Sequence, residues 1–303
     1  MKKINNITVV ILTYLTNEKI LSDCLKSLDK KIKVIIVENS KKFKNKSHIL
    51  RKFSNVEVIC TGSNLGYGKG NNYGLSRVKT DYALILNPDI ICEKNFFKNI
   101  KTVLKKDNEF SIIGCQYSNK TNFLPAGFFN QKKHKLFQKK FSTYKKKEFI
   151  KVDWVTGCSM LINLNKFKDK NIFDTNYFLY FEEFDLCKSI IDRGGSVYLS
   201  KNLKVYHLGF KGSLGSNSLL KKEANKLRDW HWMWSYFYFY KKNYNYFYAL
   251  FKILGKLFKS IFKSIFYSII FDNINRDKYV FRFLGLFVSI IGFKSSYRGN
   301  KFY

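Results

Sequence analysis

Residues 84–90 read Leu84-Ile85-Leu86-Asn87-Pro88-Asp89-Ile90. Three successive aliphatic residues fit a strand covered on both faces, and Asn-Pro-Asp ends it, because proline has no N–H for a ladder and fixes the turn. A strand that stops in this way projects Asp89 from the C-terminal edge of its sheet. The same pattern repeats upstream: Ile7–Tyr14, Lys33–Val37, Val56–Cys60 and Tyr82–Leu86 are apolar runs. Between them lie helical segments, such as Glu18–Leu28 with apolar residues at 20, 21, 24, 25 and 28, a Lys-rich stretch to Phe53, and a Gly/Asn-rich turn with a short helix to Val78. Lys94–Lys105 continues the alternation. Buried strands alternating with helices predict an α/β fold with a mostly parallel central sheet and helices on both faces. Ligands in such a fold meet the loops after the strands' C-terminal ends.

Composition narrows the function. Of 303 residues 46% are hydrophobic and 18% aromatic, which excludes a disordered chain, and 2 prolines exclude collagen-like architecture. Lys plus Arg is 55 against 22 acids, a net charge of +33. Such a surface suits an anionic partner, whether nucleic acid, phospholipid headgroups or a phosphorylated substrate, although part of the lysine excess follows from a composition typical of A/T-rich codons. The six cysteines are at least 23 residues apart, so no CxxC pair and no zinc-knuckle spacing exists, and they read as reduced, mostly buried thiols. The apolar part of the first segment is too short for a signal peptide and lacks a small-residue cleavage site, so it reads as the first core strand.

Farther along, Phe110–Gln116 reads as a strand, and Gln131–Lys151, with nine lysines and the single acid Glu148, as a solvated mobile loop. Val152–Asn163 is apolar again, with a Gly-Cys-Ser turn inside it. Phe178–Asp192 opens aromatic and becomes a helix with acids at its start. Ser196–Ser200 and Leu203–His207 read as two short strands. Composition shifts near residue 220: from 221 to 303 there are 16 basic and 4 acidic residues among many Phe, Tyr and Trp. Within Tyr246–Phe271, Lys252, Lys256, Lys259 and Lys263 recur at helical spacing on one stripe, with Phe, Ile and Leu around the rest. No apolar stretch approaches the roughly 20 residues of a membrane span. The expected organisation is therefore a domain over 1–220 and a basic, aromatic, amphipathic helical tail over 221–303. That tail suits the plane of an anionic membrane surface, or packing on the chain's own domain or a second subunit.

Chemistry-bearing residues cluster in a few places. Gly66-Tyr67-Gly68-Lys69-Gly70 lacks the Lys-Ser/Thr ending of a nucleotide-hydrolase loop, and Tyr14–Asn17 contains no glycine where a dinucleotide fingerprint needs one. Asn64–Gly74 is a Gly/Asn-rich loop entering a helix, whose N–H groups and amides suit a nucleotide. Phe181-Glu182-Glu183-Phe184-Asp185 places three acids at a helix start. His207 ends a strand ahead of Gly209, Gly212 and Ser213.

Across roughly residues 7–240 these elements in order (Val9–Tyr14, Val34–Ser40, Asn64–Gly74, Asn87-Pro88-Asp89, Gly157–Ile162, Tyr180–Cys187, His207–Ser213) resemble an inverting family 2 glycosyltransferase of the Rossmann-like GT-A fold, most like the bacterial rhamnosyltransferase branch. The resemblance implies an enzyme moving a sugar, rhamnose among the candidates, from a dTDP- or UDP-sugar to a glycan or lipid-linked acceptor. It implies Mg²⁺ or Mn²⁺ held by Asp89 and His207, with Asn87 in the same motif. It places Thr13, Tyr14, Glu38, Asn39, Asn64, Gly66, Asn71 and Asn72 on the donor side, and Trp154 and Gly157 on the acceptor side. The base falls on Glu183, with Glu182 the alternative, and Asp185 supports the helix start. Glu182-Glu183 and Glu38-Asn39 stand where the family carries Glu-Asp and Asp-Asn, one methylene shorter at the varied acid. The implied location is the cytoplasmic face of the cell membrane, held peripherally, with no nucleic acid partner. A basic nucleic-acid-binding protein, a nucleotidyltransferase of the same fold and a catalytically silent membrane scaffold are the competing readings.

Overall fold

The computed structural model describes residues 6–106, 109–118, 124–141, 148–209 and 218–299. The elements in chain order are β1 (Ile7–Thr13), α1 (Glu18–Lys26), β2 (Lys33–Glu38), α2 (Lys46–Lys52), β3 (Val56–Cys60), α3 (Tyr67–Leu75), β4 (Tyr82–Leu86), β5 (Ile90–Cys92), α4 (Phe96–Lys106), β6 (Ile112–Tyr117), β7 (Ala126–Gly127), α5 (Gln131–Lys140), β8 (Phe149–Lys151), β9 (Trp154–Val155), β10 (Ser159–Asn163), α6 (Glu182–Asp192), β11 (Val197–His207), α7 (Ser218–Asn243), α8 (Tyr246–Ile269) and α9 (Asn273–Ile290). The chain divides into two compact units. The first takes Met1–Leu65, Lys69–Phe173 and Leu186–Leu214; the second takes Gly66–Gly68, Asp174–Asp185 and Gly215–Tyr303.

The first unit is built on a nine-stranded sheet of order β3-β2-β1-β4-β10-β6-β11-β5, with β8 on β11. Strands β3, β2, β1 and β4 run parallel, β10 runs antiparallel between β4 and β6, and β6 is parallel to β11. The apolar runs ITVVILT, KVIIVE and YALIL form the central strands because almost every residue in them is buried. Helix α1 starts where the Asn17 side chain accepts from the N–H groups of Lys19 and Ile20. Helix α3 presses on β1 and β2 through its glycines: a Cβ on Gly74 would stand 2.6 Å from Val10 and 2.7 Å from Val37, and one on Gly70 would stand 2.6 Å from Leu12. These glycines therefore serve close helix-on-strand packing inside a helix that begins at Tyr67, rather than an extended loop.

Two expectations are corrected here. Part of Gln131–Lys151, read as a loop, is the helix α5, capped by Asn130, which accepts from the Lys133 N–H, and anchored by buried Phe137. Its lysines hid an amphipathic pattern of nearly three turns with a single strong apolar anchor. The stretch 196–207, read as two strands, is one long strand, β11, with a register shift between Ser200 and Lys204.

The second unit contains α7, α8 and α9, whose shared core is Met233, Phe237, Ala249, Ile253 and Leu286. A side chain on Gly285 of α9 would collide with the Trp230 carbonyl, so glycine permits the close approach of α9 to α7. Buried His231 is fixed between Ser295, 2.9 Å from Nδ1, and the Tyr297 carbonyl, 2.7 Å from Nε2. Among the described residues no helix is long and apolar enough to cross a membrane.

Candidate active site

Strand β4 ends at Leu86, and the Asn87-Pro88-Asp89 turn leads straight into β5. The Asn87 N–H donates to the Cys158 carbonyl at 2.9 Å and the Ile90 N–H to the Asn87 carbonyl at 3.2 Å, so the turn is held from both sides. Strand β5 pairs antiparallel with β11 in a register that sets Ile90 opposite His207. That pairing brings two residues 118 positions apart together: His207 Nε2 lies 3.5 Å from Asp89 Oδ2. The Leu208 N–H donates to the Asp89 carbonyl at 3.0 Å, which locks the strand end against the turn. Asp89 is buried and His207 keeps partial exposure, 3% and 18% by side chain, so the carboxylate is preorganised and the imidazole edge reaches solvent. The His207 ring packs 5.6 Å from the Tyr117 ring, and the Tyr117 hydroxyl lies 2.8 Å from Thr156 Oγ1 and 2.7 Å from Cys158 Sγ. Burial and, more weakly, the nearby Asp89 charge push the Cys24 thiol up to about 12, and burial raises Cys158 as well. Cys24 and Cys158 are thereby kept as inert thiols.

The edge of β1 and β2 holds a second constellation. Thr13 stands opposite Glu38 in the parallel register, and its hydroxyl donates to Glu38 Oε2 at 2.7 Å; the Ser40 hydroxyl donates to Oε1 at 2.6 Å. Burial raises the Glu38 carboxyl above its usual range, against the pull of these two hydroxyls. The Asn39 N–H donates to the Thr13 carbonyl at 2.8 Å. The Asn39 side chain gives its amide to Asn64 Oδ1 at 3.0 Å and accepts from the Leu65 N–H at 2.9 Å. Thr13, Glu38, Asn39 and Asn64 thus form one polar network at the sheet's C-terminal edge. Half-buried Tyr14 follows at once, and Leu15 has a left-handed backbone, φ 50°.

Asn71 and Asn72 lie in α3. Asn72 clasps the Phe173 backbone in both directions, donating to its carbonyl at 2.8 Å and accepting from its N–H at 3.0 Å, so its amide holds the segment after residue 170. Trp154 in β9 is half-buried with its ring 5.5 Å from that of His134, and Gly157 is buried in the turn before β10. Gly212 and Ser213 of the His207–Ser213 stretch lie outside the described residues.

In the second unit, Gly66 has φ +84° and the Tyr67 N–H donates to the Phe178 carbonyl at 2.8 Å. The three acids at the start of α6 separate by environment. Asp185 is bound to Lys242 Nζ at 2.6 Å and to Asn243 Nδ2 at 2.9 Å, which makes it a structural anion. Among the described residues, Glu182 and Glu183 each keep a buried Oε2 with no hydrogen-bond partner. Burial raises both carboxyls, and the charge of Glu183 raises Glu182 further. Tyr180 and Phe181, immediately before the pair, both take left-handed backbone, φ 68° and 69°. The Phe181 ring is wedged among Phe184, Trp232, Tyr236 and Phe239 at 5.3 to 5.6 Å, which over-determines a conformation that non-glycine residues avoid. Lys242, Asn243 and the strain at Tyr180 and Phe181 were not read from the sequence. Only the strain carries no sequence signal, because aromatic residues give no hint of a positive φ.

A profile described as Glycosyl transferase family 2 matches residues 8–169. The chain is 29% identical over 192 residues to rhamnosyltransferase WbbL of Escherichia coli K12, covering 56% of this chain and 70% of the relative. It is 24% identical over 195 residues to the low-salt glycan biosynthesis hexosyltransferase Agl10 of Haloferax volcanii, covering 61% of each. Among solved structures, the fold is similar to GalNAc-T7 with UDP, GalNAc and Mn²⁺ (TM-score 0.51, 14% identity, 77% of this chain and 50% of that one). It is also similar to the mannosyltransferase PcManGT of Pyrobaculum calidifontis in complex with GDP-Man and Mn²⁺ (TM-score 0.54, 10% identity, 94% and 87%).

Proposed function

The chain belongs to glycosyl transferase family 2, and from that premise we propose that it moves a hexosyl group, rhamnose first among the candidates, from a dTDP- or UDP-sugar to a glycan or lipid-linked acceptor at the cytoplasmic face of the cell membrane. The observation that carries the reading is the approach of Asp89 and His207 to 3.5 Å where the sheet ends. Carboxylate oxygen and imidazole nitrogen, with no thiolate between them, suit Mn²⁺ or Mg²⁺. Among the described residues no third His, Cys, Asp or Glu joins them, so phosphate oxygens of the donor and water would complete the shell. Asp89 and His207 would hold the ion, which when bound supplies positive charge for the departing diphosphate. The rhamnosyltransferase and hexosyltransferase relatives support the sugar class, and the Mn²⁺ of the two similar folds supports the ion.

The remaining steps belong to the protein's own groups. The Thr13, Glu38, Asn39 and Asn64 network would receive the nucleoside at the β1 and β2 edge, with Tyr14, Asn71 and Asn72 of the same unit, and Gly66 is assigned to the donor by the resemblance alone. Trp154 and Gly157 would border the acceptor. Glu183 takes the proton of the acceptor hydroxyl as that oxygen bonds to the anomeric carbon and the bond from that carbon to the diphosphate oxygen breaks, inverting the centre. Glu182 is the alternative base, its carboxyl raised by burial and by the charge of Glu183. A screen of dTDP-, UDP- and GDP-sugars by ligand-detected NMR, with and without Mn²⁺, tests the assignment. Donor binding that strengthens with Mn²⁺ and weakens in Asp89→Ala supports it; transfer unchanged in Asp89→Ala refutes the role of this site.

A further inference from the structure

Helix α8 carries a face that its own unit does not cover. Phe247, Phe251, Leu254, Phe258, Ile261, Phe262, Ile265 and Ile269 are all exposed, and five of them exceed 60% of their full surface. They recur at steps of three and four residues, so they form one apolar stripe down the whole helix, about 36 Å long. Exposed apolar residues continue past α8, with Phe271 86% exposed in the turn and Ile274 78% exposed in the first turn of α9. The opposite side of α8 is the packed one, with Ala249, Ile253 and Ser260 buried. Nothing in the helix is acidic, and its four lysines occupy the flank next to the packed side. Three of them lie over tyrosine rings: Lys252 is 5.2 Å from Tyr248, Lys256 is 4.8 Å from Tyr236 and Lys263 is 5.4 Å from Tyr267. Lys259 is exposed.

We propose that this face of α8 lies in the plane of an anionic lipid bilayer, its phenylalanines sunk below the headgroups and its lysine flank beside the lipid phosphates. A contiguous apolar stripe of this length on a soluble surface marks an interaction site. Two observations select lipid as the occupant, and because no described helix is long and apolar enough to cross a membrane the proposed contact is in-plane. The stripe is dominated by Phe and Ile, and every charged residue of the helix is a lysine: Lys259 is exposed, and Lys252, Lys256 and Lys263 are half-buried over tyrosines, so together they make an electropositive flank that suits anionic headgroups. A second copy would bring another +33 surface against this one, which electrostatic repulsion opposes. The inference does not depend on the sugar or on the transfer chemistry.

The test is flotation of the full chain with vesicles of phosphatidylcholine alone and of phosphatidylcholine mixed with phosphatidylglycerol, without donor. The wild-type chain is expected on the anionic vesicles and largely absent from the neutral ones. Phe251→Ser/Phe258→Ser/Phe262→Ser removes three exposed rings and should weaken partitioning about tenfold or more with an unchanged circular dichroism spectrum. In Phe258→Trp, added anionic vesicles should shift the emission to the blue, and bromine-labelled acyl chains should quench it. Wild-type protein that ignores anionic vesicles overturns the proposal. So does a triple variant that still floats, an indole whose emission does not change, or a wild-type dimer that the triple variant converts to monomer while vesicle binding stays the same. Loss of vesicle binding by the triple variant with transfer to a soluble acceptor intact would separate this surface from the catalytic reading.

Discussion

Glu183→Gln should do two opposite things at once: abolish transfer and stabilise the fold. The Glu183 carboxyl is pushed by burial up to about 7 from an ordinary value of 4.5. A folded-state value raised above the unfolded one means that stability is lost as pH rises from about 4.5 to about 7, and the loss is complete above that. At about 1.4 kcal/mol per pH unit, the span of roughly 2.5 units sets an upper bound of about 3 kcal/mol. Coupling to Glu182 shares that burden, so a gain of about 1–3 kcal/mol on neutralising Glu183 is the working figure. Glutamine keeps the shape and can donate to its surroundings, so no cavity offsets the gain. At roughly 2–4 °C per kcal/mol, the melting temperature should rise by about 2–12 °C at pH 8 and by almost nothing near pH 4.5. Transfer should fall by about a hundredfold or more, as expected for loss of a general base. The assays are thermal melts across pH 4.5–8 and product formation at saturating donor. A lower melting temperature at pH 8, a gain independent of pH, or transfer that survives would each refute the reasoning.

Other perturbations follow from the same geometry. Transfer by the wild-type enzyme should fall about tenfold per pH unit below about 7, because the base must be ionised, and Glu183→Gln should remove that limb from whatever activity remains. Lys242→Met leaves the Asp185 carboxylate buried without its cation and should cost about 2 kcal/mol in urea unfolding, less than a fully buried pair because Lys242 is 38% exposed. Adding Asp185→Asn should recover part of that loss. Asn72→Ala removes both side-chain hydrogen bonds to the Phe173 backbone and should lower stability by about 1–3 kcal/mol in urea unfolding.

The central strands were legible because a strand buried on both faces needs an unbroken apolar run, and Ile7–Thr13, Lys33–Glu38 and Tyr82–Leu86 supply one each. The Asn-Pro-Asp stop was legible for the same local reason. The pairing of β5 with β11 was not, since three residues after a turn carry no mark of a partner more than a hundred positions away. Resemblance supplied the link between Asp89 and His207 that periodicity could not. Helix α5 was missed because its lysines outweigh its one buried ring, Phe137. The lysine stripe of α8 was visible in the spacing, but its place on the flank, over tyrosines of α7 and α8, depends on tertiary packing. Glu182 and Glu183 stood out as adjacent acids. Their burial, and the diversion of Asp185 to Lys242, follow from how α7 packs, which spacing does not encode.

The account rests on Asp89 and His207 gripping one ion together. Titration of Mn²⁺ into the protein with dTDP or UDP, followed by the electron paramagnetic resonance signal of free Mn²⁺, tests this directly. The prediction is nucleotide-dependent uptake of one ion by the wild type, weakened about tenfold or more in Asp89→Asn and in His207→Gln, with the double variant little worse than the weaker single. Uptake unchanged in either single variant would contradict it.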